Sequence, residues 1–562
     1  MRKAGILSVL LLSLSGGAFA SADMVIINGQ VKTFDDRITA ASAVAMEDGV
    51  IVKVGSDAEA MALADDKTHI IDAAGRPVLP GFIDSHIHPQ QQFDEMAPYG
   101  RLDLRPEGGV TSREALFEKL RRKIAVTPPG QLIVGSRYND NLVGGHPTAK
   151  ELDAVSPNHP VILGHSSGHR RVVNTLALKG AGITDSTPNP PGGMIERDAD
   201  GKATGIMLES VPCFGPLYDT IPQPTEAEIL DAYRKEFRMY LSYGIVGIGD
   251  AGGSPEKYAR FRTLLQEGMP IHIYAMLSYD HLDWLTENRN SAAWQVPGLQ
   301  MRAIKTSHGN SLSGRTAWLY EPYAHDPDYY GIPPRRSQEE LNERVAKVHD
   351  AGLQLAIHSN GDREIDMVLT AIELAQKANP RTDHRHRIEH ASVVNDRILR
   401  RVKAANVMLA PHSYVLNHGE KMEEFGAHRW DYMHPNRSAT ELGIPIGGNS
   451  DHSVSPAQVM QRIESMVTRR AAGNGKVYGA AQRVPVDTAL KIWTSGSAFI
   501  QFSEDTHGSL TPGKRGDIVI LSQDPNKVEA DDIEKIDVDY TVVGGKVAFR
   551  RGQNGADDYY SW

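Results

Sequence analysis

The sequence predicts an α/β protein: a (β/α)8 TIM barrel with a small β-sandwich domain built from both chain ends and an inserted subdomain after strand 1. Three observations carry that prediction. Strand-like and helical stretches alternate through the middle of the chain, which is the rhythm of a parallel barrel. His86, His88, Lys305, His358, His390 and Asp451, all residue types found in metal sites, each stand at or just beyond the end of an apolar run. A barrel enzyme builds its site at those C-terminal strand ends. The two chain ends, finally, share a texture of short alternating strands and tight turns.

Residues 1–22 read as a secretory signal peptide. Arg2 and Lys3 precede an apolar run from Ile6 to Leu14 and the small-residue pattern Ala18-Phe19-Ala20 or Ala20-Ser21-Ala22. The alternative is an uncleaved anchor, but the run is shorter than the roughly 20 residues that span a bilayer. A periplasmic or secreted location follows, with no membrane span after cleavage. Removing Arg2 and Lys3, and no acidic residue, takes the formal charge from -10 to -12. Such a surface gives no reason to expect nucleic acid as a partner.

Residues 23–78 and 500–556 form the expected composite β-domain. Met24-Val25-Ile26-Ile27 before Asn28-Gly29, and Ala43 to Met46 before Asp48-Gly49, carry the strongest short hairpin signals. Asp517 to Leu521 and Val538 to Val543, followed by Gly544-Gly545, repeat the texture at the far end. The barrel is expected over 79–499. Val78 to Ile83 would be its first strand, followed by Ile245 to Ile248, Ile271 to Met276, Met301 to Ile304, Leu353 to Ile357, Arg387 to Ile388, Val407 to Leu409 and Ile444 to Ile446. Ser337 to Gly352 is a typical intervening helix: Ser337 and Glu340 make a capping box, Leu341, Val345 and Val348 form the apolar stripe, and Gly352 ends it. Residues 100–225 are too many for a loop. They carry their own helix, Arg113 to Lys123, and strand-like runs Leu132 to Val134 and Val161 to Leu163. This inserted α/β subdomain leaves the barrel at a strand end, so it is expected to overhang the site and help choose the substrate.

With 562 residues, 40% of them hydrophobic, the chain can stabilise itself through a large core. It has to, because Cys213 is its only cysteine and cannot form an internal disulfide. No local motif activates Cys213 as a nucleophile, which favours a buried structural thiol. The chain contains no Gly-x4-Gly-Lys-Ser/Thr phosphate loop and no His-Glu-x-x-His motif.

In Asp84-Ser85-His86-Ile87-His88, residues two apart on an extended strand face the same side, so His86 and His88 can converge on one metal. Two solvated loop histidines are the bland alternative, and a helix-capping role is the alternative for Asp451.

The chain resembles the amidohydrolase superfamily, and more closely its YtcJ-like branch (amidohydrolase family 3). The resemblance rests on Leu79 to His88, Lys305 through Thr316-Ala317, Ile357 to Asp362, Arg387 to Ala391, Gly448 to His452 and Gly508 to Asp517, and it spans nearly the whole mature chain. It implies that His86 and His88 bind a more buried zinc ion and that His358 and His390 bind a more exposed one. Lys305, carboxylated by CO2, would bridge them, since an ammonium group has no acceptor. One or two ions fit, and other divalent metals are compatible. The stretch after Lys305 departs from the family pattern, reading Gly309-Asn310-Ser311-Leu312-Ser313-Gly314. An ion-pairing Lys305 with His308 as substitute ligand is therefore the alternative. Asp451 would serve as catalytic acid/base, and His146, His169 and His412 are candidate substrate contacts.

These residues imply hydrolysis of a C-N bond in an amide or N-acyl compound by a metal-activated hydroxide. Three alternatives stay open: a cyclic amide or ring-amine hydrolase, an esterase or phosphoesterase on the same site, and a non-catalytic regulatory protein retaining the fold. A small-molecule substrate is the expected partner, and a homo-oligomer is compatible with the sequence.

Overall fold

The computed structural model describes all residues except 1–20, 39, 210–213, 414, 553–556 and 560–562. The signal-peptide segment up to residue 20 and Cys213 lie outside the described residues. Among the described residues no helix is long and apolar enough to cross a membrane.

Seven parallel strands form the centre, neighbouring one another in chain order: Phe82–Ile87, Ile245–Gly253, His272–Ser278, Leu299–Ser307, Gln354–Ser359, Arg387–His390 and Met408–Pro411. The sheet curls until its first strand meets the chain beyond its last: Ser85 N–H donates to Gly448 O (2.9 Å) and Asp451 N–H to His86 O (3.1 Å). Helices cover the outside. Thr225, Ser254, Ser337 and Asn395 each cap one by accepting a backbone N–H in the first turn. The expected capping box at Ser337 and Glu340 is present, and Leu341, Val345 and Val348 are buried. The helix Glu226–Ser242 buries Tyr233, Phe237, Tyr240 and Leu241 against the barrel core. Truncating one such aromatic costs about 3–5 kcal/mol.

Two strand expectations need correction. The segment at Val78 is not part of the barrel: Pro77–Pro80 pairs with Ile518–Leu521 of the terminal sheet, and the first barrel strand begins at Phe82. Gly81 is the break. Its N–H turns to Asp517 O (2.9 Å), and an added Cβ would collide with Val246 at 2.5 Å. The eighth strand, expected at Ile444 to Ile446, shrinks to a single bridge between Leu409 and Ile446. Pro445 has no N–H to give a ladder, so this segment cannot pair on both edges.

The insertion carries its own six-stranded sheet, drawn from residues 102–209, with the helix Arg113–Val126 packed on it. The chain ends make two further sheets. One lies wholly within residues 24–72; the other joins Gln30–Val31 and Pro77–Pro80 to strands from Ile518 onward. Met24, Ile26, Val44, Met46, Ile518 and Val542 share one buried cluster across both sheets.

Candidate metal centre

The strand ends deliver the predicted residues to one place. His88, Lys305, His358, His390 and Asp451 line a cavity of about 280 Å³ together with His169 and His412. His86 lies beneath, its Nε2 3.2 Å from Lys305 Nζ and 3.5 Å from Asp451 Oδ1, while His88 Nε2 is 3.3 Å from the same oxygen. Two sets of ligand atoms converge within 4.8 Å: His86, His88 and Asp451, and His390, His412 and Asp451.

Local structure aims each group. Ser450 donates from its hydroxyl (2.5 Å) and its N–H (3.2 Å) to buried Asp84, pinning the 448–452 segment to the first strand. Asp451 itself sits at φ 52° and His390 at φ 73°, conformations unusual for non-glycine residues that tend to cluster at functional sites. His86 Nδ1 hydrogen-bonds the Glu389 carboxylate, which Arg387 Nε in turn holds at 2.6 Å. That contact puts the His86 proton on Nδ1 and leaves the Nε2 lone pair facing the cavity, the arrangement that fixes metal-binding imidazoles. His358 donates from Nε2 to Asn310 O (2.9 Å), so its lone pair is on Nδ1. His390 groups by distance with His412 and Asp451. The two grouped rings stack with centroids 4.0 Å apart.

The donor set fits a metal. His390 Nδ1 is buried without a hydrogen-bond partner. Burial, reinforced by the Lys305 charge, keeps His86 neutral, the ligand form. Burial also pushes the Lys305 ammonium below its ordinary range. It would raise the Asp451 carboxyl too, but the His88 hydrogen bond and the charges of His412, His88 and Lys305 outweigh it and hold that carboxyl at about 2. Asp451 is thus an anion at neutral pH.

The predicted substrate contacts separate. His169 stacks on His358 at 5.2 Å and bonds Glu209 from Nδ1 (2.7 Å), and His412 lines the cavity as described. His146 points into the insertion, where Tyr138 OH (2.9 Å) and Arg170 occupy its two nitrogens. His308 meets Met367 Sδ and lies in the neighbouring outer cavity, away from the ligand atoms. Sequence reasoning assigned no role to Glu389 or Arg137. Glu389 could have been found as a carboxylate directly before a ligand histidine. Arg137 reaches the cavity from the inserted subdomain at φ 71°, donating to Ser166 O (3.0 Å), and no local motif marks it.

Comparison with known proteins agrees with this geometry. Residues 69–549 match the amidohydrolase family. The chain is 27% identical to YtcJ of Bacillus subtilis (strain 168) over 91% of its own length and 96% of that protein's. It is also 27% identical to the N-substituted formamide deformylase of Arthrobacter pascens, over 94% and 98%. A crystal structure of a metal-dependent hydrolase from Pyrococcus horikoshii OT3 superposes with a TM-score of 0.69 at 26% identity, covering 90% of this chain and 99% of that one. With its buried histidines and Asp451 gathered at the strand ends of a parallel barrel, the chain belongs to the amidohydrolase family and is a metal-dependent hydrolase.

Proposed function

We propose that the chain hydrolyses the C-N bond of a small N-acyl or N-formyl amine, with zinc as the metal. The single observation that carries this is Asp451, an anionic carboxylate 3.3 Å from His88 on the wall of a cavity of about 280 Å³. Likeness to a formamide deformylase over nearly all of both chains supports the same bond type.

When bound, a divalent ion polarises the carbonyl and acidifies water. His86 and His88 would hold one such ion with Asp451, and His390 and His412 a second, with Glu389 fixing the His86 ring. Asp451 orients a water and takes its proton as oxygen attacks the carbonyl carbon. It then returns that proton to the nitrogen as the C-N bond breaks, which an amine leaving group requires. We also infer that Lys305 is carboxylated. Burial favours its neutral amine, whose lone pair attacks the carbon of CO2; an N–C bond forms, one proton leaves, and the product is an anionic oxygen ligand. The amine part of the substrate would extend through Gly168 and His169 into the adjoining cavity of about 810 Å³, walled by Pro190, Pro191, Arg171 and Arg335.

A panel of N-formyl and N-acetyl amines with matched esters and phosphoesters tests this. Release of free amine from the amides is expected. Turnover of the esters or phosphoesters alone would overturn it. Density at Lys305 extended by three atoms would establish the carbamate, and a bare amine would remove it.

A further inference from the structure

At the other end of the barrel a second set of metal-ligating atoms converges. His272 opens the third barrel strand at its N-terminal end, and Asp517 directly precedes Ile518–Leu521 of the terminal sheet, with His507 ten residues before it. His272 Nε2 lies 3.0 Å and His507 Nε2 3.4 Å from Asp517 Oδ2, and the two rings meet edge to face with centroids 4.3 Å apart.

Hydrogen bonding assigns the lone pairs. The Thr506 hydroxyl lies 3.2 Å from Ser503 O and 2.7 Å from His507 Nδ1; where it donates to the carbonyl it accepts from Nδ1–H. In neutral His507 the lone pair is then on Nε2, which is buried with no hydrogen-bond partner. Asp517 Oδ1 accepts from Gly544 N–H (2.7 Å), whereas Oδ2 is buried without a hydrogen bond. His272 Nε2 accepts from Arg515 Nε (3.2 Å), so its lone pair reaches a metal only with Arg515 displaced. Two buried acceptor atoms without hydrogen-bond partners, His507 Nε2 and Asp517 Oδ2, facing each other are costly unless a cation stands between them. Arg515 supplies part of that charge from one side, its Nε 3.7 Å from Asp517 Oδ2. It also borders a cleft of about 680 Å³ containing Asp23 and Asp48.

We propose that His272, His507 and Asp517 form a second, structural site for a zinc-type divalent metal at the junction of barrel and terminal sheet. Tetrahedral ligands at about 2.0–2.2 Å from zinc stand roughly 3.3 Å apart, close to the 3.0 and 3.4 Å that separate Asp517 Oδ2 from the two imidazole nitrogens. Two imidazoles and one carboxylate are also a borderline-soft set suited to zinc. The cluster Asp140, His146 and His165 in the insertion has the same composition but not the same property. There His165 is bonded to Asp140 (2.9 Å) and Ser167 (2.9 Å), His146 to Tyr138 and Arg170, and Asp140 also to Lys421 (2.9 Å).

Crystals of the wild-type protein grown with a small molar excess of zinc test the site through anomalous difference density. A peak bonded to His272 Nε2, His507 Nε2 and Asp517 Oδ2, separate from the strand-end centre, is expected. In solution His507→Gln should bind one zinc fewer than wild type and lose the part of its thermal stability that zinc restores. A wild-type map with no peak at these three atoms overturns the proposal whether or not the variant folds. Equal zinc stoichiometry in wild type and a folded His507→Gln overturns it as well.

Discussion

The strand-end cluster and the histidine network of the insertion use the same residue types, and they differ in whether the polar atoms are spent. In the insertion both nitrogens of His146 and His165 have protein partners and Asp140 is shared between His165 and Lys421. At the strand ends His390 Nδ1 has none, and Asp451 is approached by His86, His88 and His412 together. Closed networks hold structure, whereas clusters left open await a ligand, because an unpaired buried polar atom costs about 1–3 kcal/mol that only a further partner recovers. The difference therefore separates residues that serve chemistry from residues that serve the fold.

Substitutions in the two clusters should break differently. Asp451→Asn keeps the shape and removes the proton acceptor, so kcat/KM should fall by about 10²–10⁴-fold in the folded protein. Retained turnover would place the acid/base elsewhere. Glu389→Gln loosens the hold on His86 and should cost about 10–100-fold in metal affinity or activity, read by metal titration. His165→Ala lies on the closed side: it should cost about 1–3 kcal/mol of stability in denaturant unfolding while kcat per folded enzyme changes little. A large kcat loss with stability intact would erase the distinction.

The smallest effect concerns pH. Burial opposes ionisation of Asp140, but the bond and charge of His165 and the charge of Lys421 outweigh it and depress that carboxyl. A depressed carboxyl stabilises the fold fully above its unfolded value of about 3.9 and loses that contribution as the pH falls through the folded one. Asp140→Asn should thus unfold more easily than wild type at pH 7, and the gap should narrow in strong acid.

How far the sequence could be read follows from where the physics is local. His86-Ile87-His88, the strand-like runs before Lys305 and His358, and the capping box at Ser337 depend on near neighbours in the chain, so their placement was legible. The break at Gly81 was not, because it depends on Val246 far along the chain. The eighth strand was over-read: Ile444 and Ile446 have the alternation of a strand, yet Pro445 removes the donor a ladder needs. The grouping of His412 with His390 and Asp451 is a convergence of residues far apart in the chain. Arg137 comes from another sheet altogether.

Metal dependence of turnover tests the central claim most directly. Wild-type protein stripped by a chelator should lose hydrolysis of its best amide and regain it with stoichiometric zinc, while its circular dichroism stays unchanged. Stripped protein that hydrolyses that amide as fast as the zinc-loaded form would contradict the assignment of the open strand-end cluster as a metal centre.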